Sequence, residues 1–169
     1  MEDIVPEFSQ IIDVPHCLKS QKGHVRIEAK KEECAKLAER FGYDEISYLS
    51  LEGDITPKEG TDMYSFKGVL KSSVTLHLED LQHTEKVVET IEVIFAPNNS
   101  KLEERMEEID FDIEPMEFGK VDLGELAAQY LFLLLDSILF EDQFKNLALE
   151  QHDDEKENPF SKLEKLLEK

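Results

Sequence analysis

The sequence predicts an α+β domain: a mainly antiparallel, strongly curved sheet packed with about three helices. Three observations predict it. Apolar residues alternate with period two over residues 25–29, and a long tract over 63–95 is rich in Val, Thr, Ile and Phe. The period switches to i, i+3, i+4, i+7 at Cys34, Leu37, Ala38 and Phe41, as an amphipathic helix requires. A broad apolar stripe then runs through residues 123–138. With 40% hydrophobic residues in 169 positions, the chain can fill one sizeable core.

In chain order, residues 8–14 read as a first strand, with Phe8, Ile11 and Ile12 apolar and Pro15 closing it; residues 25–29, after Gly23, read as a second, paired antiparallel. A helix over 31–41 stops at Gly42. Residues 45–51 return to strand, and 53–60, with two glycines and Pro57, read as a loop. Residues 63–79 and 86–95 form two long β arms joined by a polar turn over 79–85. Val87, Ile91, Val93 and Phe95 share one face of the second arm while Val88 and Ile94 stand on the other, the two-sided pattern of a central or curled strand; closure into a partial barrel stays open. Residues 98–117 hold Glu103, Glu104, Glu107, Glu108, Asp110, Asp112 and Glu114 and read as an exposed, mobile connector, with a short helix near 102–106 that has too few apolar anchors to fix it. Asp122 followed by Glu125 is a capping-box arrangement opening a helix to about residue 138 or 140, expected to be the most buried in the protein. These elements make one domain over 1–150. Residues 151–169 are a polar linker and a short helix, started by Asn158 and Pro159, that docks through Phe160, Leu163, Leu166 and Leu167.

Charge bounds the function. There are 39 Asp plus Glu against 19 Lys plus Arg, a formal net charge of -20. A protein gripping RNA mainly through phosphates gains its affinity from counterion release at a basic face, and a field of this sign opposes that approach while attracting basic proteins. No apolar run reaches the roughly 18 residues that would span a bilayer. The acids in Met1-Glu2-Asp3 stand where a signal peptide carries bases, which predicts a cytoplasmic protein without membrane attachment. There Cys17 and Cys34 stay reduced, Cys34 as a small core residue.

The residues point to no catalytic site, metal or cofactor. The seven glycines are scattered and build no phosphate-cradling loop. His77 and His83 could meet across the long hairpin, but no histidine has metal-ligand spacing with Cys or Glu on one helix face. Asp110, Asp112 and Glu114 resemble the opening of a calcium loop, yet Pro115 stands where its glycine belongs and Val121 where its bidentate Glu belongs. In a chain this acidic no carboxylate pair singles itself out for acid–base work, although a pocket with convergent acids would suit a hydrolase or RNA-processing enzyme.

The string Val121-Asp122-Leu123-Gly124-Glu125-Leu126-Ala127-Ala128-Gln129-Tyr130-Leu131, followed by Glu157-Asn158-Pro159-Phe160-Ser161-Lys162-Leu163, resembles the YceD family. Phe8-Ser9, Arg40-Phe41, Gly68-Val69-Leu70 and Phe95-Ala96-Pro97 fall in the same order as that family's elements, so the likeness covers most of the chain. The family is associated with accumulation of large-subunit ribosomal RNA. Relatives carry cysteine in the central strand where residues 72–79 have none, so no metal or redox role carries over. Together with the charge, the resemblance implies a non-enzymatic accessory factor that promotes large-subunit ribosomal RNA accumulation by binding a basic ribosomal protein or a large-subunit assembly intermediate. Candidate partner-binding residues are Asp122, Glu125, Phe160, Glu107, Glu108, Asp110 and Asp112; for Asp122, Glu125 and Phe160 a structural role in capping and docking competes. The alternative is direct ribosomal RNA binding through Lys19, Lys22, Arg26, Lys30 and Lys31, with His24 among them.

Overall fold

A computed structural model describes residues 6–78 and 81–153. The chain divides into two compact units, Met1–Leu131 and Phe132–Lys169. The larger unit is α+β. Its elements are β1 (Ile11–Asp13), α1 (Val14–Gln21), β2 (His24–Glu28), α2 (Lys31–Phe41), β3 (Glu45–Pro57), β4 (Tyr64–Leu78), β5 (Leu81–Pro97), α3 (Leu102–Glu108), β6 (Asp112–Met116), β7 (Lys120–Asp122) and the first turns of α4 (Leu123–Asp153). The second unit holds the rest of α4, with Leu135 buried and Phe132 and Leu133 exposed. α4 overruns its expected end near residue 138 or 140 and takes in residues 151–153, where a polar linker was expected; the rest of that linker and the C-terminal helix lie outside the described residues.

One five-stranded sheet, ordered β2-β3-β4-β5-β6, forms the body of the larger unit; β1 and β7 pair separately. All pairs are antiparallel except β5 with β6. The sheet is open, which corrects the expectation of a strongly curved or partly closed barrel. The apolar residues on both faces of β5 have another cause: Ile94 and Ala96 join Met63 in a second small core closed by Leu102, Ile109 and Ile113. Burial on both faces comes from a covering layer, with no curling required.

On the main core face, Ile55, Phe66 and Val93 stand in one cross-strand row and Gly53, Gly68 and Ile91 in the next. Phe66 stacks on Phe95 at 5.6 Å and lies over the glycine pair, where an added Cβ on Gly68 would come within 2.8 Å of its ring. That close approach explains why β3 runs to Pro57 through the Gly53 region that reads as a loop: the glycine keeps the ladder and gives its side-chain volume to an aromatic neighbour. β5 likewise starts at Leu81, so residues 81–85 pair in the hairpin where a polar turn was expected.

Two further expectations change. Pro15 does not merely close a strand; it sits in the first turn of α1, where its missing N–H costs nothing, and Asp13 caps that helix by accepting from the His16 N–H at 3.1 Å. The first two strands therefore do not pair: β1 joins β7 and β2 joins β3. With α1 and α3 the described chain has four helices. α2 matches its predicted span, with the Glu33 carboxylate accepting from the Lys30 N–H at 2.9 Å and Gly42 ending it in the left-handed region.

Candidate partner-binding site

Where β7 runs into α4, Asp122 is committed to the fold. Its Oδ1 accepts from the Glu125 N–H at 3.2 Å and the Gln10 N–H at 2.9 Å, and its Oδ2 accepts from Ser9 Oγ at 2.7 Å. One carboxylate thus caps the helix and fastens the N-terminal segment to it. Gly124 permits this closeness, since a Cβ there would lie 2.6 Å from the Phe8 carbonyl oxygen. Glu125 departs from the capping-box expectation. Rather than reaching back to the Asp122 N–H, it takes a two-pronged contact from Arg40 at 3.0 and 3.1 Å, and Arg40 also donates to Glu7 at 3.0 Å. The hydrogen bond to Glu125 is the main reason the Arg40 guanidinium holds its proton even more firmly than usual.

Beside this pair lie three further groups that sequence reasoning did not single out as one site. Glu114, half-buried on β6, has its carboxyl pushed above the ordinary range, first by burial and then by the negative charges of Asp122 and Glu125. Tyr130 on α4 donates to Asp112 at 2.6 Å, and burial followed by that bond raises its phenol well above its usual value. The corner is therefore acidic, with Arg40 as its cation among the described ion pairs.

The connector expected to be mobile is a built surface. Leu102, Ile109 and Ile113 anchor it, and the Arg105 side chain, only 16% exposed, turns inward to donate to Asp62 at 2.6 Å. Glu103, Glu104, Glu107, Glu108 and Asp110 face solvent, and among them stand Met106 and Phe111, 49% and 53% exposed. Of the predicted partner-binding residues, Glu107, Glu108 and Asp110 lie on this surface, Asp112 links it to the corner, Asp122 and Glu125 make internal contacts, and Phe160 is outside the described residues. Leu102, Ile109 and Ile113 stood in the sequence as isolated apolar residues among acids, and because they fall on a helix, its C-terminal cap and a strand, no single period joins them.

The basic candidates flank β2. Lys19 and Lys22 end α1, Lys30 and Lys31 start α2, and all are exposed. His24 and Arg26 face acids across the ladder: His24 Nδ1 lies 3.0 Å from Asp54, and Arg26 Nε lies 3.8 Å from Glu52. The pattern continues at Lys67 and Glu92, 3.4 Å apart, so this sheet face alternates in sign.

An open cleft of about 500 Å³ lies between α2 and the start of β3, lined by Lys31, Glu39, Tyr43, Asp44 and Glu45 among others. His77 pairs with Asp44 nearby, and His83 with Glu85 at 2.7 Å. Because His77 stands opposite Gln82 and His83 opposite Leu76, the two histidines point to opposite faces of the hairpin and do not converge. Among the described residues no cluster of three or more His, Cys, Asp or Glu could hold a metal, and Cys17 and Cys34 are buried free thiols whose pKa burial raises. No described helix is long and apolar enough to cross a membrane. No family model, curated protein or solved structure matches the chain.

Proposed function

We propose that the protein is a non-enzymatic cytoplasmic accessory factor that promotes large-subunit ribosomal RNA accumulation by binding a basic ribosomal protein or assembly intermediate. The observation that carries the basic-partner part is the α3 surface: an anchored helix whose own arginine is turned inward to Asp62, leaving five acids displayed around half-exposed Met106 and Phe111. Mixed acidic and apolar contacts of this kind suit a partner that offers lysine or arginine beside apolar side chains. The ribosomal part rests on the resemblance of residues 121–131 and 157–163 to the YceD family. Direct RNA binding through Lys19, Lys22, Arg26, Lys30 and Lys31 is disfavoured because Glu52 stands opposite Arg26 and Asp54 opposite the neighbouring His24, at the centre of that patch.

Affinity purification from growing cells tests the reading, with free ribosomal proteins or precursor particles expected to co-purify. Glu107→Lys combined with Glu108→Lys is expected to weaken the recovered complex about tenfold by removing charge complementarity. Recovery of neither class of partner, or tight binding of ribosomal RNA fragments that falls steeply with salt, would sink it.

A further inference from the structure

We propose that the open edge of β5, residues 81–92, receives an extended lysine- or arginine-rich segment that adds to the sheet as another strand. The proposal deepens the basic-partner reading, on which it rests, by naming where and in what conformation such a partner is held.

β6 covers β5 only from Val93 to Pro97. Over residues 81–92 the strand is paired with β4 alone among the described residues, in unbroken register from Leu78↔Leu81 to Lys67↔Glu92. Along such an edge every second residue turns its N–H and C=O away from the sheet, a ready template for one more strand. Proteins commonly blunt an edge with proline, a bulge, extreme shortness or charged side chains, and of these the stretch has only the charges, Glu85, Lys86, Glu89 and Glu92, which repel some strands and select others. Residues 81–92 contain no proline and no register shift, whereas β2, the edge on the other side, has only five residues.

Charge selects the occupant. Exposed Glu89 and partly buried Glu85, which also holds His83 at 2.7 Å, project to one face with Val87 between them, while Lys86, Val88 and Thr90 project to the other, and Val88 is 65% exposed. A strand laid alongside that alternates cationic and apolar residues would set cations opposite the two glutamates and an apolar side chain opposite Val88. The open stretch ends where α3 delivers the chain into β6, so a strand collinear with β6 would have its end beside Asp110, Phe111 and Asp112. A second copy of the protein would bring the same glutamates to the seam and another charge of -20, which disfavours self-pairing.

The test is amide hydrogen exchange on the full chain with three short synthetic peptides: alternating lysine and valine, the same sequence N-methylated throughout, and alternating glutamate and valine. The lysine peptide is expected to slow exchange at alternate amides within residues 81–92 by about tenfold or more, and the other two to leave them unchanged. Binding of the N-methylated peptide as tight as that of its parent, or protection confined to α3, overturns strand addition and leaves the basic-partner reading standing. Protection of residues 81–92 in the free protein that is lost on dilution identifies a second copy as the occupant and overturns the proposal. Protection by the lysine peptide, with no basic protein recovered from cells, upholds the edge as a cationic-strand site and counts against the ribosomal reading alone.

Discussion

Asp122 shows how one side chain can satisfy a sequence rule and exceed it. The capping rule identifies it as the opener of α4, but its bonds to Gln10 and Ser9 reach 112 and 113 positions along the chain and follow no local pattern. Asp122→Ala is expected to cost about 2–4 kcal/mol, the sum of a lost cap and two lost tertiary hydrogen bonds, and Asp122→Asn less; urea midpoints would check both. Glu114 gives a prediction in pH. Its folded pKa lies above the ordinary 4.5, so between that value and the raised one the native state binds more protons than the unfolded chain. The cost of ionising Glu114 is absent below the unfolded pKa, grows as pH rises through the window, and is complete above the folded pKa. Glu114→Gln is therefore expected to raise the melting temperature at pH 7, with an advantage that shrinks to nothing below about pH 4. Thermal melts of both proteins across that range would show it, and a constant difference would contradict it.

Among the elements, legibility followed the distance over which each is stabilised. α2 could be read to the residue because its apolar stripe, its Glu33 contact and Gly42 lie within or beside the helix. α1 was missed although Asp13 and Pro15 are a helix-start signal, because the apolar residues before them read more strongly as a continuing strand. The site was only partly legible. Exposed acids could be counted from the sequence, but Arg40 meeting Glu125 needs α2 beside the start of α4, and Tyr130 meeting Asp112 needs β6 lying parallel to β5, juxtapositions that no local period encodes. The overrun of β3 through Gly53 has the same origin, since Gly53 is held by Gly68 and Phe66 on β4. Gly68→Ala is expected to destabilise the sheet by about 1–3 kcal/mol, because the new methyl meets both the Phe66 ring and the Glu52 carbonyl oxygen at 2.8 Å. Restoring much of that loss by pairing it with Phe66→Leu, measured as a double-mutant cycle, would identify the ring as the obstacle.

For the molecule as a whole, the separate β1–β7 ribbon bears on the order in which the fold assembles. Strands β2 to β5 follow one another as antiparallel neighbours, with β4 and β5 joined by a very short connection, so their contacts close small loops. The ribbon instead brings Ile12 to Val121 across almost the whole larger unit, and that encounter carries a far greater loop-closure cost. The meander is thus expected to nucleate and the ribbon to lock afterwards. In folding kinetics, Ile91→Val should chiefly slow folding, whereas Val121→Ala should chiefly speed unfolding; the reverse assignment would place the ribbon in the nucleus. A nascent chain would then display its β4–β5 hairpin before residues 120–122 emerge to fasten the N-terminal strand, so during synthesis that hairpin must remain unaggregated without the ribbon's help.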